Sequence, residues 1–185
     1  MILFLILFNI SQASVLKYNV TLEPDFKNKS IVGNTEIIFS EKEKDFEFPL
    51  SEIVIDKVLV DGKSSKFTAD RMLKISGSGK RVLVNYHGSP LKGLVWGEGY
   101  VYTDYEPCTW MICYAEPGLR AEMNLKLIIP KEMNFVVSGS GAYSSYLYGF
   151  AAGNFVREVA GPLFMKWRIS GGEIYSRVKP GHISG

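Results

Sequence analysis

Apolar and polar residues alternate with a period of two along most of this chain. Leu16, Tyr18, Val20 and Leu22 fall on one side of an extended segment, with Lys17, Asn19, Thr21 and Glu23 on the other. Met123, Leu125, Leu127 and Ile129 alternate in the same way with Glu122, Asn124 and Lys126. So do Leu163, Met165, Trp167 and Ile169 with Phe164, Lys166 and Arg168. Successive side chains of a strand point to opposite faces, so each run predicts a half-buried strand. Turn residues separate the runs at Pro24-Asp25, Asp61-Gly62, Gly77-Ser-Gly79, Gly88-Ser-Pro90, Pro117-Gly118, Ser138 to Gly141 and Gly171-Gly172. No stretch carries the i, i+3, i+4, i+7 apolar stripe of a helix. About a dozen short strands with regular turns predict an all-β domain with few helices, either an antiparallel β-sandwich or a saddle-like pair of sheets.

Composition narrows this picture. A chain of 185 residues is long enough for one domain with a real core. Its 46% apolar and 22% charged residues are those of a globular protein. The 21 basic and 19 acidic residues leave a net charge of +2 with no basic stripe, which argues against a nucleic-acid partner. Lys42 and Lys44 alternate with Glu41, Glu43 and Asp45, a pattern that predicts a solvated turn. No repeat or linker divides the chain, and the softest boundary falls at Gly171, with residues 180–185 reading as a tail. The apolar run Met1 to Ala13 ends in Ser11-Gln-Ala13, which fits a signal peptide cleaved before Ser14 and export to a periplasm or the cell exterior. A buried first strand is the competing reading, while a bilayer span needs about 20 residues, more than the run supplies. The domain itself is placed at 14–179.

Few residues offer chemistry. Gly77-Ser-Gly-Lys80 resembles the end of a phosphate-binding loop, but Lys74 stands where that loop needs glycine. Its flanks, Leu73 to Ile75 and Arg81 to Val84, read as strands, so a hairpin turn is expected. His87 and His182 are the only imidazoles. With no nucleophile singled out beside either, both read as surface residues, and no metal site is expected from this chain. Cys108 and Cys113 either close a small disulfide loop or pack as two buried thiols, the second being the more usual fate of free cysteine. Trp110, Met111 and Tyr114 beside them are expected to pack as core.

The stretch from Gly99 to Gly141 carries a resemblance. It reads Tyr-Val-Tyr-Thr103-Asp-Tyr-Glu106-Pro-Cys-Thr-Trp110-Met-Ile-Cys113-Tyr-Ala-Glu-Pro117-Gly-Leu-Arg120-Ala, then Asn124-Leu-Lys-Leu-Ile-Ile-Pro130 and Val136-Val-Ser-Gly-Ser-Gly141. That succession resembles the N-terminal domain of the aminopeptidase N family of zinc metallopeptidases, whose pattern runs T-Q-x-E-P, W-x-P-C, x-P, K/R-A, a strand ending in Pro, and S-N/S-G. Tyr18 to Asp25, Ile31 to Phe39 with Gly33, Ile53 to Gly62, Val84 to Gly88 and Ser144 to Phe155 are similar to further landmarks in the same order. The match covers roughly residues 16 to 179.

The resemblance implies a role for Glu106. In the family this acid helps hold the free α-amino group of a peptide, and an α-ammonium beside a carboxylate makes a charge-assisted hydrogen bond. Thr103 and Glu106 match the motif, whereas Asp104 stands where the family usually has Gln, Ile112 where it has Pro and Ala115 where it has an acid. Asp104 adds a second negative charge and cannot donate as an amide does. Read from the residues alone, Glu106 is equally an exposed strand-end carboxylate. The sequence holds neither H-E-x-x-H nor G-A-M-E-N, so the domain is expected to be non-catalytic by itself and to bind no cofactor, zinc belonging to the family's catalytic domain. The expected partners are that catalytic domain or a peptide with a free N-terminus. The alternatives are a free-standing extracytoplasmic module that binds peptide or protein, and a truncated remnant without function.

Overall fold

The computed structural model describes residues 15–104, 106–115, 119–137, 142–144, 148–154, 156–161, 164–169 and 172–177. The first strands are β1 (Val15–Asp25), β2 (Ser30–Pro49), β3 (Ile53–Val60), β4 (Lys63–Ser64), β5 (Phe67–Ala69) and β6 (Met72–Gly88). They are followed by β7 (Leu94–Gly97), β8 (Tyr100–Thr103), one 3-10 turn (Pro107–Thr109), β9 (Arg120–Leu127) and β10 (Asn134–Val137). The last are β11 (Ala142–Ser144), β12 (Phe150–Gly153), β13 (Val156–Gly161), β14 (Phe164–Ile169) and β15 (Gly172–Arg177). The protein is all-β, as its alternation predicts. The strands make an eight-stranded sheet in the order β11-β9-β1-β2-β6-β3-β4 with β5 beside β6, a four-stranded sheet β10-β12-β8-β7, and a three-stranded sheet β13-β14-β15.

One pairing departs from an antiparallel plan. Strand β9 lies parallel to β1, with Lys17 opposite Glu122 and Leu22 opposite Leu127. A parallel neighbour needs a long crossover, and the segment from β2 to β9, which includes the whole β7-β8 hairpin, supplies it.

The large sheet buries one face. Tyr18, Val20 and Leu22 of β1, Ile31, Ile37 and Phe39 of β2, and Val82, Val84 and Tyr86 of β6 are all buried. Leu16 does not join them: a register shift between Val15 and Lys17 turns Val15 inward and leaves Leu16 53% exposed. The outer face is a polar ladder. Lys17 pairs with Glu122 at 3.1 Å, Asn19 donates to Glu36 at 2.8 Å, and the Arg81 guanidinium donates to the same Glu36 carboxylate.

Two expected turns are bulges instead. Strand β6 runs unbroken through Gly77 to Lys80, pairing with β2 on both sides of it, from Phe46 opposite Ile75 to Ile38 opposite Arg81. The charged run Glu41 to Asp45 lies within β2 across from it, largely exposed but not a turn. Register shifts between Ile38 and Glu43 and between Lys44 and Phe46, with Asp45 at φ 52°, change which parity of residue faces inward. Buried positions are odd-numbered from Ile31 to Phe39 and even-numbered at Phe46 and Phe48. In β6 they are odd at Leu73 and Ile75 and even from Val82 to Tyr86. A bulge re-aims side chains in this way, so both strands bend together and keep their apolar sides on one core. Asp61-Gly62 is the predicted turn, a two-residue hairpin loop with both residues at positive φ (46° and 78°).

The ladder sets a pH dependence. Burial raises the Glu36 carboxyl, but the hydrogen bonds from Asn19 and Arg81 and the charges of Arg81 and Lys17 outweigh it, so its pKa lies below the ordinary 4.5. Its stabilisation is therefore complete above about pH 4.5 and lost as pH falls through the folded-state value. Urea unfolding of Glu36→Gln should show lower stability than the parent at pH 7, with the difference shrinking on acidification below that point.

Candidate functional site

Strands β7 and β8 form a hairpin that delivers the rim. Pairing of Leu94 with Thr103 continues one residue further, where the Asp104 amide donates to the Gly93 carbonyl at 2.9 Å. Tyr100, Tyr102 and Asp104 therefore share one face of the extended segment, and Val101 and Thr103 point the other way. Thr103 Oγ1 accepts from the Phe150 amide at 2.9 Å, tying the strand end to β12. Glu106 follows, exposed, as the residue that enters the 3-10 turn Pro107–Thr109.

Everything after Glu106 goes inward. Trp110, Met111, Ile112 and Cys113 are completely buried, although they form no regular element. Their backbone groups need partners there. The Met111 amide donates to the Pro107 carbonyl at 3.0 Å, the Ile112 amide to Thr35 Oγ1 at 3.4 Å, and the Tyr114 amide to the Tyr18 hydroxyl at 3.3 Å. The Thr35 hydroxyl also lies 3.2 Å from that of Tyr86, whose burial pushes its pKa well above the ordinary tyrosine value. Trp110 meets Phe150 edge to face at 5.5 Å, and Tyr114 lies 4.8 Å from Phe48 between ring centres. Trp110, Met111 and Tyr114 thus pack beneath the rim as their size predicts, linking the two larger sheets in one cluster.

Cys108 and Cys113 are bonded as a disulfide with Cα atoms 5.3 Å apart, so the reading as two separate thiols is corrected. The five-residue separation brings both ends of the turn together. Closing so short a loop removes about 2 kcal/mol of unfolded-state entropy in the chain-entropy view. A second clamp was not evident beforehand. The Thr109 hydroxyl lies 2.6 Å from the Glu106 carbonyl oxygen and 2.9 Å from that of Lys92. Gly93 between them has φ 74°, and a Cβ there would run into Thr109 Oγ1 and the Glu106 carbonyl. The only sequence signal for this clamp is Gly93 itself, just before an apolar strand.

The remaining candidates do not converge on Glu106. His87 sits on the outer face of β6, half-exposed, with Nδ1 2.9 Å from an Asp56 carboxylate oxygen. His182, the run Met1 to Ala13 and the tail 180–185 lie outside the described residues. Among the described residues no three His, Cys, Asp or Glu side chains are grouped to hold a metal ion, and no helix is long and apolar enough to cross a membrane.

The sheets and the core they share define an all-β fold that also occurs within zinc metallopeptidases. Leukotriene A4 hydrolase from Saccharomyces cerevisiae superposes with a TM-score of 0.73 at 17% identity, over 85% of this chain and 31% of that one. The M1 zinc metallopeptidase from Deinococcus radiodurans gives 0.69 at 14% identity over 93% of this chain and 49% of that one. A mutant of that enzyme bound to a Tyr-Ser-Ala substrate gives 0.70 at 14% identity, over 89% and 46%. The chain thus spans a third to a half of these enzymes, and the likeness is one of fold. No protein-family model matches the sequence, and no curated protein matches it.

The Thr35 hydroxyl serves two buried partners, the Ile112 amide and the Tyr86 hydroxyl. Thr35→Val keeps the shape and leaves both unsatisfied, so unfolding should show a loss of about 2 to 3 kcal/mol. A loss below about 0.5 kcal/mol would mean that the segment is held by packing alone.

Proposed function

We propose that this chain is the non-catalytic N-terminal domain of an aminopeptidase N-like zinc metallopeptidase, capping a catalytic domain and presenting Glu106 to the α-amino end of a peptide. The observation that carries the reading is the contrast at Glu106. Its side chain is exposed while the four residues from Trp110 to Cys113 are fully buried and closed by a disulfide, so a carboxylate projects from a fixed support. A group fixed in this way loses little freedom when it binds, which is what a substrate anchor needs. The fold shared with M1 enzymes supports the reading, as do Thr103 and Glu106 at the positions of the resembled motif. The zinc, its ligands and the general base would belong to the catalytic domain and would supply the hydrolytic chemistry there. The part of this chain is to bind and orient the ammonium. If the Met1 to Ala13 run is a signal peptide, the protein would act outside the cytoplasm.

The test is a chimera in which this chain replaces the corresponding domain of the two-domain Deinococcus radiodurans enzyme. Glu106→Gln should raise KM for an amino-acid anilide roughly 30-fold, the equivalent of about 2 kcal/mol for a charge-assisted hydrogen bond. An active chimera whose kinetics ignore Glu106→Gln would sink the anchor role.

A further inference from the structure

Glu106 lies between two fastenings and belongs to neither. The ladder of β7 and β8 stops where the Asp104 amide meets the Gly93 carbonyl, and the disulfide begins only at Cys108. Among the described residues, the hydrogen bonds that reach Glu106 both come from Thr109. The Thr109 amide donates to the Glu106 carbonyl at 3.2 Å, and the Thr109 hydroxyl lies 2.6 Å from the same oxygen.

That hydroxyl reaches a second place in the chain. It also lies 2.9 Å from the carbonyl of Lys92, just before β7. A hydroxyl has one proton, and a carbonyl oxygen only accepts. One proton therefore serves both carbonyls, and the segment that enters the hairpin is drawn to the same point as the residue that follows it. Gly93, at φ 74°, leaves the space for this meeting, since a Cβ there would stand where Thr109 Oγ1 and the Glu106 carbonyl are. Thr109 is only 8% exposed, which limits competition from water for the hydroxyl. Its β-branch restricts χ1 and keeps the hydroxyl aimed.

We propose that Thr109 is a positioning residue for Glu106: its hydroxyl fixes the backbone from which the carboxylate projects, and so sets how well that carboxylate meets a peptide ammonium. This role rests on the reading of Glu106 as the anchor of the α-amino end. A misplaced anchor still carries its charge but meets the ammonium in poorer geometry, so the loss falls on binding.

Backbone 15N relaxation on the full chain reads the fixing directly. The Glu106 amide of the parent should have an order parameter of about 0.85, the value of rigid backbone. Thr109→Val keeps the shape without the hydroxyl and should lower it below about 0.6, while Thr109→Ser should keep the parent value. Thr109→Ala, a second variant without the hydroxyl, should behave as Thr109→Val does. An unchanged value at Val84 in the middle of β6 establishes that each variant is folded. A mobile Glu106 in the parent overturns the proposal, and so does a rigid one in both folded variants that lack the hydroxyl. In the chimera with the Deinococcus radiodurans enzyme, Thr109→Val should raise KM for the amino-acid anilide about tenfold with kcat nearly kept. It should add little to Glu106→Gln, because it acts through that residue. Full additivity of the two, or a KM that responds to Glu106→Gln and not to Thr109→Val, overturns the positioning role alone. A KM unmoved by Glu106→Gln overturns the anchor reading, and the role of Thr109 toward substrate falls with it.

Discussion

The structure depends on a stretch of irregular backbone buried between two sheets. Residues 109–114 cross the core without a ladder of their own; the first three amides bond back to carbonyls at the 3-10 turn, and those of Ile112 and Tyr114 find partners among side chains. Thr35 and Tyr18 provide them from the inner face of the large sheet. A buried amide without a partner costs about 1 to 3 kcal/mol. Two such amides left bare would cancel much of a small domain's stability, about 5 to 15 kcal/mol. The two hydroxyls satisfy the amides that packing by the surrounding Val and Ile side chains would leave bare.

That dependence explains the shape of the long strands. Thr35 and Tyr18 face inward only because β1 and β2 hold a fixed register, with Asn19 opposite Glu36 and Val20 opposite Thr35. A one-residue slip would exchange Thr35 for Glu36 and place a carboxylate in the core. The polar ladder on the outer face opposes this slip, since Asn19 and Arg81 both bind Glu36 on the solvent side. The bulges further along β2 and β6 then turn the remote ends of both strands so that Phe46, Phe48, Leu73 and Ile75 reach the same core. Tyr114 packs on Phe39 and Phe48, one residue from each side of the bend.

Strand periodicity made the fold class and most inward-facing residues legible. It failed where a bulge changes parity, because the sequence around Gly77 to Lys80 carries the same glycine and serine as a hairpin turn. Only the partner strand distinguishes the two, and the partner is more than 30 residues away. Leu16 failed for the same reason on a smaller scale. The parallel β1-β9 pair was invisible because alternation is identical in parallel and antiparallel strands when one face is solvated. At the rim, motif resemblance located Glu106 and side-chain size located Trp110 and Met111. The clamp of Gly93 and Thr109 is a long-range hydrogen-bond pattern, to which composition and spacing are blind.

Asp104 is where the chain's own chemistry departs from the resembled motif. Its backbone continues the β7-β8 ladder, so its side chain shares the exposed face with the tyrosines, two residues before Glu106. Two acids this close in sequence repel each other weakly where water and salt screen them. Covering the rim with a second domain lowers the local dielectric and strengthens the same repulsion several-fold. A cation entering the covered cleft relieves it. On the proposed reading that cation would be the ammonium of a peptide, and two acids two residues apart would then favour a charged N-terminus more strongly than Glu106 beside an uncharged amide would, at the cost of a harder closure when the cleft is empty.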